Sequence, residues 1–121
     1  MNELELQLKK VAQCYDNEAL VIETALQIQK DFLIIGEEVS YSGKRIQAYN
    51  ELYSQLFSII ERYVHLDFQK FVNLMYRIDI SEKQIKSLLN DMSINFVDEA
   101  TRLVIEREFK KVLTRNFYRN K

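Results

Sequence analysis

At 121 residues, with 47% apolar and 29% charged side chains and a net charge of −1, the chain has ordinary globular composition, which excludes an intrinsically disordered or low-complexity protein. No proline, only two glycines, and seven Phe beside seven Tyr favour helices joined by short corners over a many-turned β fold. The lone Cys14 leaves no internal disulfide, nothing near the start reads as a secretory signal, and the longest apolar run, Phe32-Leu33-Ile34-Ile35, is far short of the roughly 20 residues of a membrane span. Those features point to the cytoplasm and away from integral membrane association.

Taken in chain order, Leu4, Leu8, Val11 and Tyr15 are spaced like one helical stripe, Asp16 and Asn17 offer caps, and Val21, Ala25, Ile28 and Phe32 resume the stripe until about Gly36. The alternation of Leu4, Leu6 and Leu8 could instead be a short strand, and "FLIIG" with "VSYSG" a weak hairpin. Gly36 to Lys44 reads as the one long loop. From Arg45 to Val64 the spacing predicts a broad-faced amphipathic helix, with Leu52, Leu56, Ile59, Ile60 and Tyr63 inward and Gln47, Glu51, Ser54 and Glu61 outward.

Asp67 can cap a third helix running through Phe68, Phe71, Leu74, Met75 and Ile78. Ser81 with Gln84 three residues on forms a capping-box pattern, and Ile80 with Ile85 is placed as a hydrophobic staple for a fourth helix. The charged Arg77 and Asp79, set among large apolar residues in "LMYRIDISEKQI", therefore read as a structural helix corner in which Asp79 braces the turn and Arg77 pairs with it or covers helix ends. A ligand or partner contact is the sharper alternative. After Met92, "NDMSIN" breaks the pattern, and Asn95 can cap a last helix through about Phe117.

Catalytic and metal chemistry find little material. One His and one Cys nearly exclude a zinc site or a Cys–His nucleophile pair. Glu61 and His65, four apart with Asp67 close by, could form a surface metal site but project from the polar side of their helix. Adjacent Glu37 and Glu38 read as a solvated turn, Cys14 as a small buried hydrophobe, and "GEEVSYSG" lacks the spacing of a phosphate loop. No catalytic residue, metal or cofactor is expected, and the chain reads as a non-enzyme.

The last helix carries the strongest signal. Phe96, Val97, Ala100, Leu103 and Val104 centre on one direction, while Ile105, Phe109, Val112, Leu113 and Phe117 centre almost opposite. A single straight helix is not expected to bury both stripes in one small core. It should kink or unwind near Ile105, or its second half should pack on something else, such as another subunit. Residues 101–121 hold seven basic and two acidic side chains against an acidic body, and Arg107, Lys110, Lys111, Arg115 and Arg119 lie opposite the second stripe. The segment 105–121 is thus a basic amphipathic helix, suited to self-association, an acidic protein partner, an anionic membrane surface or nucleic acid.

The segments "QKDFLIIG", "FQKFVNLMYRIDISEKQI" and "LVIEREFKKV" together resemble a group of small all-α bacterial proteins that share a Leu-x-Tyr-Arg-Ile-Asp-x-Ser/Asn-Glu signature. The likeness covers residues 29–113, with Met75 where a second leucine is usual. It implies an all-α fold and carries no activity, cofactor or site residue.

The expectation is a single helical domain over 1–121, a compact irregular or orthogonal bundle of four to six helices. Its expected work is protein–protein interaction, as a small cytoplasmic adaptor or regulatory subunit that can self-associate into a homo-oligomer. Ile105, Phe109, Val112, Leu113 and Phe117 form the expected contact stripe, with Lys110, Lys111, Arg115 and Arg119 setting electrostatic preference. Nucleic-acid binding through the same helix is the alternative.

Overall fold

The computed structural model describes residues 18–93 and 95–119. Among them five α-helices follow in order: α1 (Glu18–Ile34), α2 (Ala48–Leu66), α3 (Phe68–Arg77), α4 (Glu82–Asn90) and α5 (Phe96–Arg119), with a 3-10 turn over Arg45–Gln47 leading into α2. The all-α expectation holds, and no strand occurs among the described residues. The Leu4–Leu8–Val11–Tyr15 stripe, the strand alternative beside it, the Asp16 and Asn17 caps and Cys14 lie outside the described residues.

The hairpin alternative does not form. α1 runs on to Ile34, and side chains, not a facing strand, take up the polar backbone of the following loop. The Gln29 amide donates to the Val39 carbonyl at 2.9 Å, and Gln55 accepts from the Ser40 N–H and donates to its carbonyl, both at 2.8 Å. Glu51 accepts from the Ser42 N–H at 2.8 Å. The loop is thereby strapped to α1 and α2, with Val39 buried beneath it.

Helix ends follow local chemistry. Gly36, at φ +87°, closes α1 with the Gly36 N–H donating to the Leu33 carbonyl and the Glu37 N–H to the Phe32 carbonyl, the paired pattern of a Schellman cap. Asp67 serves two helices at once. Its N–H donates to the Tyr63 carbonyl at the end of α2, while its carboxylate accepts from the Lys70 N–H at the start of α3, so the chain turns without a linker.

The same Schellman pattern ends α3, with an aspartate where glycine is usual. The Asp79 N–H donates to the Tyr76 carbonyl and the Ile80 N–H to the Met75 carbonyl, both at 3.0 Å, and Asp79 sits at φ +69°. Ile80 and Met75 are both buried, which supplies the apolar contact this cap favours. Asp tolerates the left-handed region better than most residues, and a β-branched side chain does not. Asp79→Val is therefore expected to lower stability by about 1–2 kcal/mol while Asp79→Gly stays within about 0.5 kcal/mol of wild type, read from urea unfolding midpoints. Equal losses in both variants would mean that the aspartate carboxylate, not the backbone geometry, holds the corner.

Ser81 caps α4 as its spacing predicts, accepting from the Gln84 N–H at 3.1 Å. The return arm differs from a full capping box: the Ser81 hydroxyl donates to the Gln84 side-chain oxygen. Ile80 and Ile85 are buried in one cluster, as a staple requires.

α5 is one uninterrupted helix of 24 residues, without the break near Ile105 that is one of the two expected alternatives. Both stripes are buried, because the helix meets different neighbours along its length. Phe96 packs its ring against Phe71 and Phe68 of α3, at centroid separations of 5.4 and 6.5 Å. Asp98 accepts the Tyr53 hydroxyl of α2. Beyond Ile105, residues of α5 are ion-paired to α1. The core lies between α2 and α5, closed by Ile28 and Phe32 of α1 and by Phe71, Leu74 and Met75 of α3.

Candidate functional site

The stripe expected to receive a partner is largely sealed inside the chain. Ile105, Phe109, Val112 and Leu113 are all buried and Phe117 is half-buried. The wheel separates two directions correctly, but apolar side chains on both are packed within the chain itself, and of this stripe Ile105 and Phe109 also line a hollow.

The basic residues of α5 are likewise engaged. Arg115 and Arg119 both approach the Glu23 carboxylate of α1, at 2.9 and 3.4 Å. Lys111 sits 3.2 Å from Asp31 and 2.9 Å from Glu108. Lys110 pairs with Glu106 one turn back. Arg107 donates through Nε to the Asp79 carbonyl and through Nη2 to its carboxylate, both at 3.0 Å. The corner aspartate is thus clamped by α5 and not by Arg77, which stands exposed. Together with the Ser81 and Gln84 cap, this makes the "RIDISEKQ" stretch a structural corner tied to the last helix.

Other sequence candidates fall apart in space or find structural work. Glu61 and His65 line an open cleft of about 470 Å³ with Met92, Phe96 and Asp98, whereas Asp67 is occupied with capping α3. Among the described residues no three His, Cys, Asp or Glu side chains are grouped to hold a metal ion. Glu37 is not a bare solvated turn. It accepts from Arg62 and from the Tyr63 hydroxyl, both at 2.6 Å. Burial raises that phenol and the Glu37 bond raises it further, to about 12.

Two features escape the sequence reading. The first is the outer face of α1. Ile22, Leu26, Leu33 and Ile34 are 39%, 57%, 62% and 54% exposed, while Ala25, Ile28 and Phe32 on the inner face are buried. Ile22, Leu26, Gln29 and Leu33 step by four, three and four residues, the spacing of a coiled-coil seam. Nearby, an apolar hollow of about 420 Å³ is lined by Val21 and Thr24 of α1, Ile46 of the 3-10 turn, Ala48, Tyr49 and Leu52 of α2, and Ile105 and Phe109 of α5. The signal for the outer face was present in the sequence, interleaved with the inner stripe: a helix apolar on two sides leaves one side for something else.

The second feature is Glu108. Its side chain is fully buried, and neither carboxyl oxygen has a hydrogen-bond partner of good geometry, although Lys111 Nζ stands 2.9 Å from Oε1. Burial pushes its carboxyl up to about 8, with the adjoining Asp31 carboxylate raising it further and Lys111 opposing. Asp31 goes the other way: burial raises it, but the Glu108 carboxyl, Gln27 and Lys111 together hold it below the usual range. Glu108 lies between Val104 and Val112 in the i, i+4, i+8 row. An acid flanked on its own helical row by apolar residues was the available clue.

Compared with protein-family models, curated proteins and solved structures, the chain matches none. Among the described residues no helix is long and apolar enough to cross a membrane. The functional reading therefore rests on the geometry of these surfaces.

Proposed function

We propose that the chain is a non-enzymatic protein–protein interaction module, a small cytoplasmic adaptor or regulatory subunit, that pairs helix on helix through the outer face of α1, with a second copy of itself as the occupant. One observation carries the reading: the exposed Ile22–Leu26–Leu33 row with coiled-coil spacing, on a helix whose opposite face is already committed to the core. A two-fold antiparallel pairing of α1 sets Ile22 opposite Leu33 and Leu26 beside Gln29, so the same patch serves both subunits. Four exposed side chains make a patch near the lower end of what specific association uses, and the pairing is accordingly weak and concentration-dependent.

Light scattering after size exclusion, over a concentration series, tests this. Wild type is expected to move from monomer to dimer as concentration rises. Leu26→Glu with Leu33→Glu should remain monomeric with unchanged helical circular dichroism. A wild type monomeric at every concentration, or a double variant that still dimerises, rejects the pairing.

Nucleic-acid binding through α5 draws less support. Phosphate contacts need available cations, and Arg107, Lys110, Lys111, Arg115 and Arg119 each have an acidic partner within the chain.

A further inference from the structure

A fully buried acid whose carboxyl meets another acid, Asp31, and a single cation, Lys111, calls for a reason, since its ionised form is left short of donors and such a group is costly. Glu108 sits where α5 meets α1. Asp31 reaches it from α1, itself nearly buried, and Lys111 reaches both acids from the next turn of α5. We propose that Asp31, Glu108 and Lys111 form a proton-controlled latch that holds α1 against α5 while Glu108 is protonated and lets α1 lift when that proton is lost. The inference is independent of what α1 pairs with.

Charge arithmetic gives the direction. With Glu108 neutral, the Asp31 carboxylate and the Lys111 ammonium balance. With Glu108 ionised, two buried carboxylates share one ammonium, and the cluster carries an uncompensated charge away from water. These two groups are the charged ones acting on Glu108. The buried residues that α2 brings to the core, Ala48, Leu52, Leu56, Ile59, Ile60 and Tyr63, add none, because the Tyr63 phenol stays protonated on Glu37. Ile85 and Leu88, the buried residues of α4, are apolar. One turn further along, Glu23 is covered by Arg115, Asn116 and Arg119, so the rest of the seam keeps its pairs as the latch titrates.

The window follows from linkage. When α1 is lifted, Glu108 meets water and titrates at its ordinary value of 4.5, whereas in the closed seam it titrates at about 8. Lifting therefore releases a proton between those limits. The opening constant rises up to tenfold per pH unit from about pH 5 to about pH 8 and then levels off, because above that point Glu108 is ionised in both states. Neutral pH lies inside this range, where a small change in acidity moves the seam most.

Hydrogen–deuterium exchange read by mass spectrometry, corrected for the pH dependence of intrinsic exchange, is the test. Peptides of α1 and of the second half of α5 are expected to lose at least tenfold in protection between pH 6 and pH 8, and at every pH to exchange faster than those of α3 and α4, which open only with the whole chain. Glu108→Gln, which keeps the shape and cannot ionise, should flatten that dependence. Asp31→Asn, which removes the like charge, should bring the upper end of the window below about pH 8 and leave its onset in place, giving a smaller total loss of protection than wild type. An unchanged slope in Glu108→Gln overturns the latch, and so does protection of α1 equal to that of α3 and α4 at every pH, which would make Glu108 a determinant of global stability alone.

Discussion

Phe71→Ala is expected to remove about 3–5 kcal/mol of stability, a large part of the roughly 5–15 kcal/mol that folded domains possess. The ring is fully buried and lies 5.3 Å from Phe68 and 5.4 Å from Phe96. It joins α3 to the start of α5, so its loss opens a cavity at the point where the last described helix is fastened to the middle of the chain. The sharp corner at Asp67 leaves α3 little freedom to slide in and refill it. The urea midpoint should fall steeply, and the variant is expected to lie near its unfolding transition at 37 °C. Tyr76→Ala, on the exposed side of the same helix, should change stability by less than about 0.5 kcal/mol. Similar losses in the two variants would mean that the aromatic junction is not a fastening point.

Glu108→Leu is expected to act in the opposite direction, raising stability by about 2–4 kcal/mol at pH 8 and by less than about 1 kcal/mol at pH 5. A carboxyl whose folded-state value lies above its unfolded one binds its proton more tightly when folded. Between 4.5 and about 8 the unfolded chain gives that proton up first, so this group lowers stability progressively as pH rises across the interval and adds nothing further above it. Leucine of similar volume removes the penalty and leaves the Asp31–Lys111 pair in place. Glu23, Asp31 and Glu37 are shifted the other way: burial raises each, and their hydrogen bonds and ion pairs more than offset it. Their stabilisation is present above the ordinary carboxylate range and fades as pH falls through it. Wild type should accordingly be most stable near pH 5 to 6. Thermal melts from pH 4 to pH 9 check both statements, and a variant that melts parallel to wild type throughout would remove Glu108 from the explanation.

Much of the fold was legible because its determinants are local. Gly36, Asp67 and Ser81 mark helix ends with chemistry that acts within three or four residues, and the inward rows of α2 and α3 repeat at helical spacing. What the sequence withheld is the identity of each neighbour. Asp79 meets Arg107 across 28 residues, and Asp31 meets Lys111 across 80, separations over which spacing carries no information. The wheel of α5 showed two apolar directions correctly. One straight helix buries both, with neither a kink near Ile105 nor a second subunit, because α5 is flanked by α3 at one end and α1 at the other. For the same reason the sequence points to α5, where the basic residues stand out, as the docking surface, and not to α1, whose second apolar row is interleaved with its first.

The seam between α1 and α5 also sets an order of events during synthesis. The acids of α1 leave the ribosome some 80 to 96 residues before the cations that complete them. At ordinary rates of elongation that interval lasts roughly 4–20 s. Over that time both apolar rows of α1 face water, or whatever else will cover them, and the face of α2 that packs on α5 waits with them, while α3 meets α2 directly across the corner at Asp67. The nascent chain is thus most prone to aggregation at its first described helix, and native structure closes only when its last one arrives.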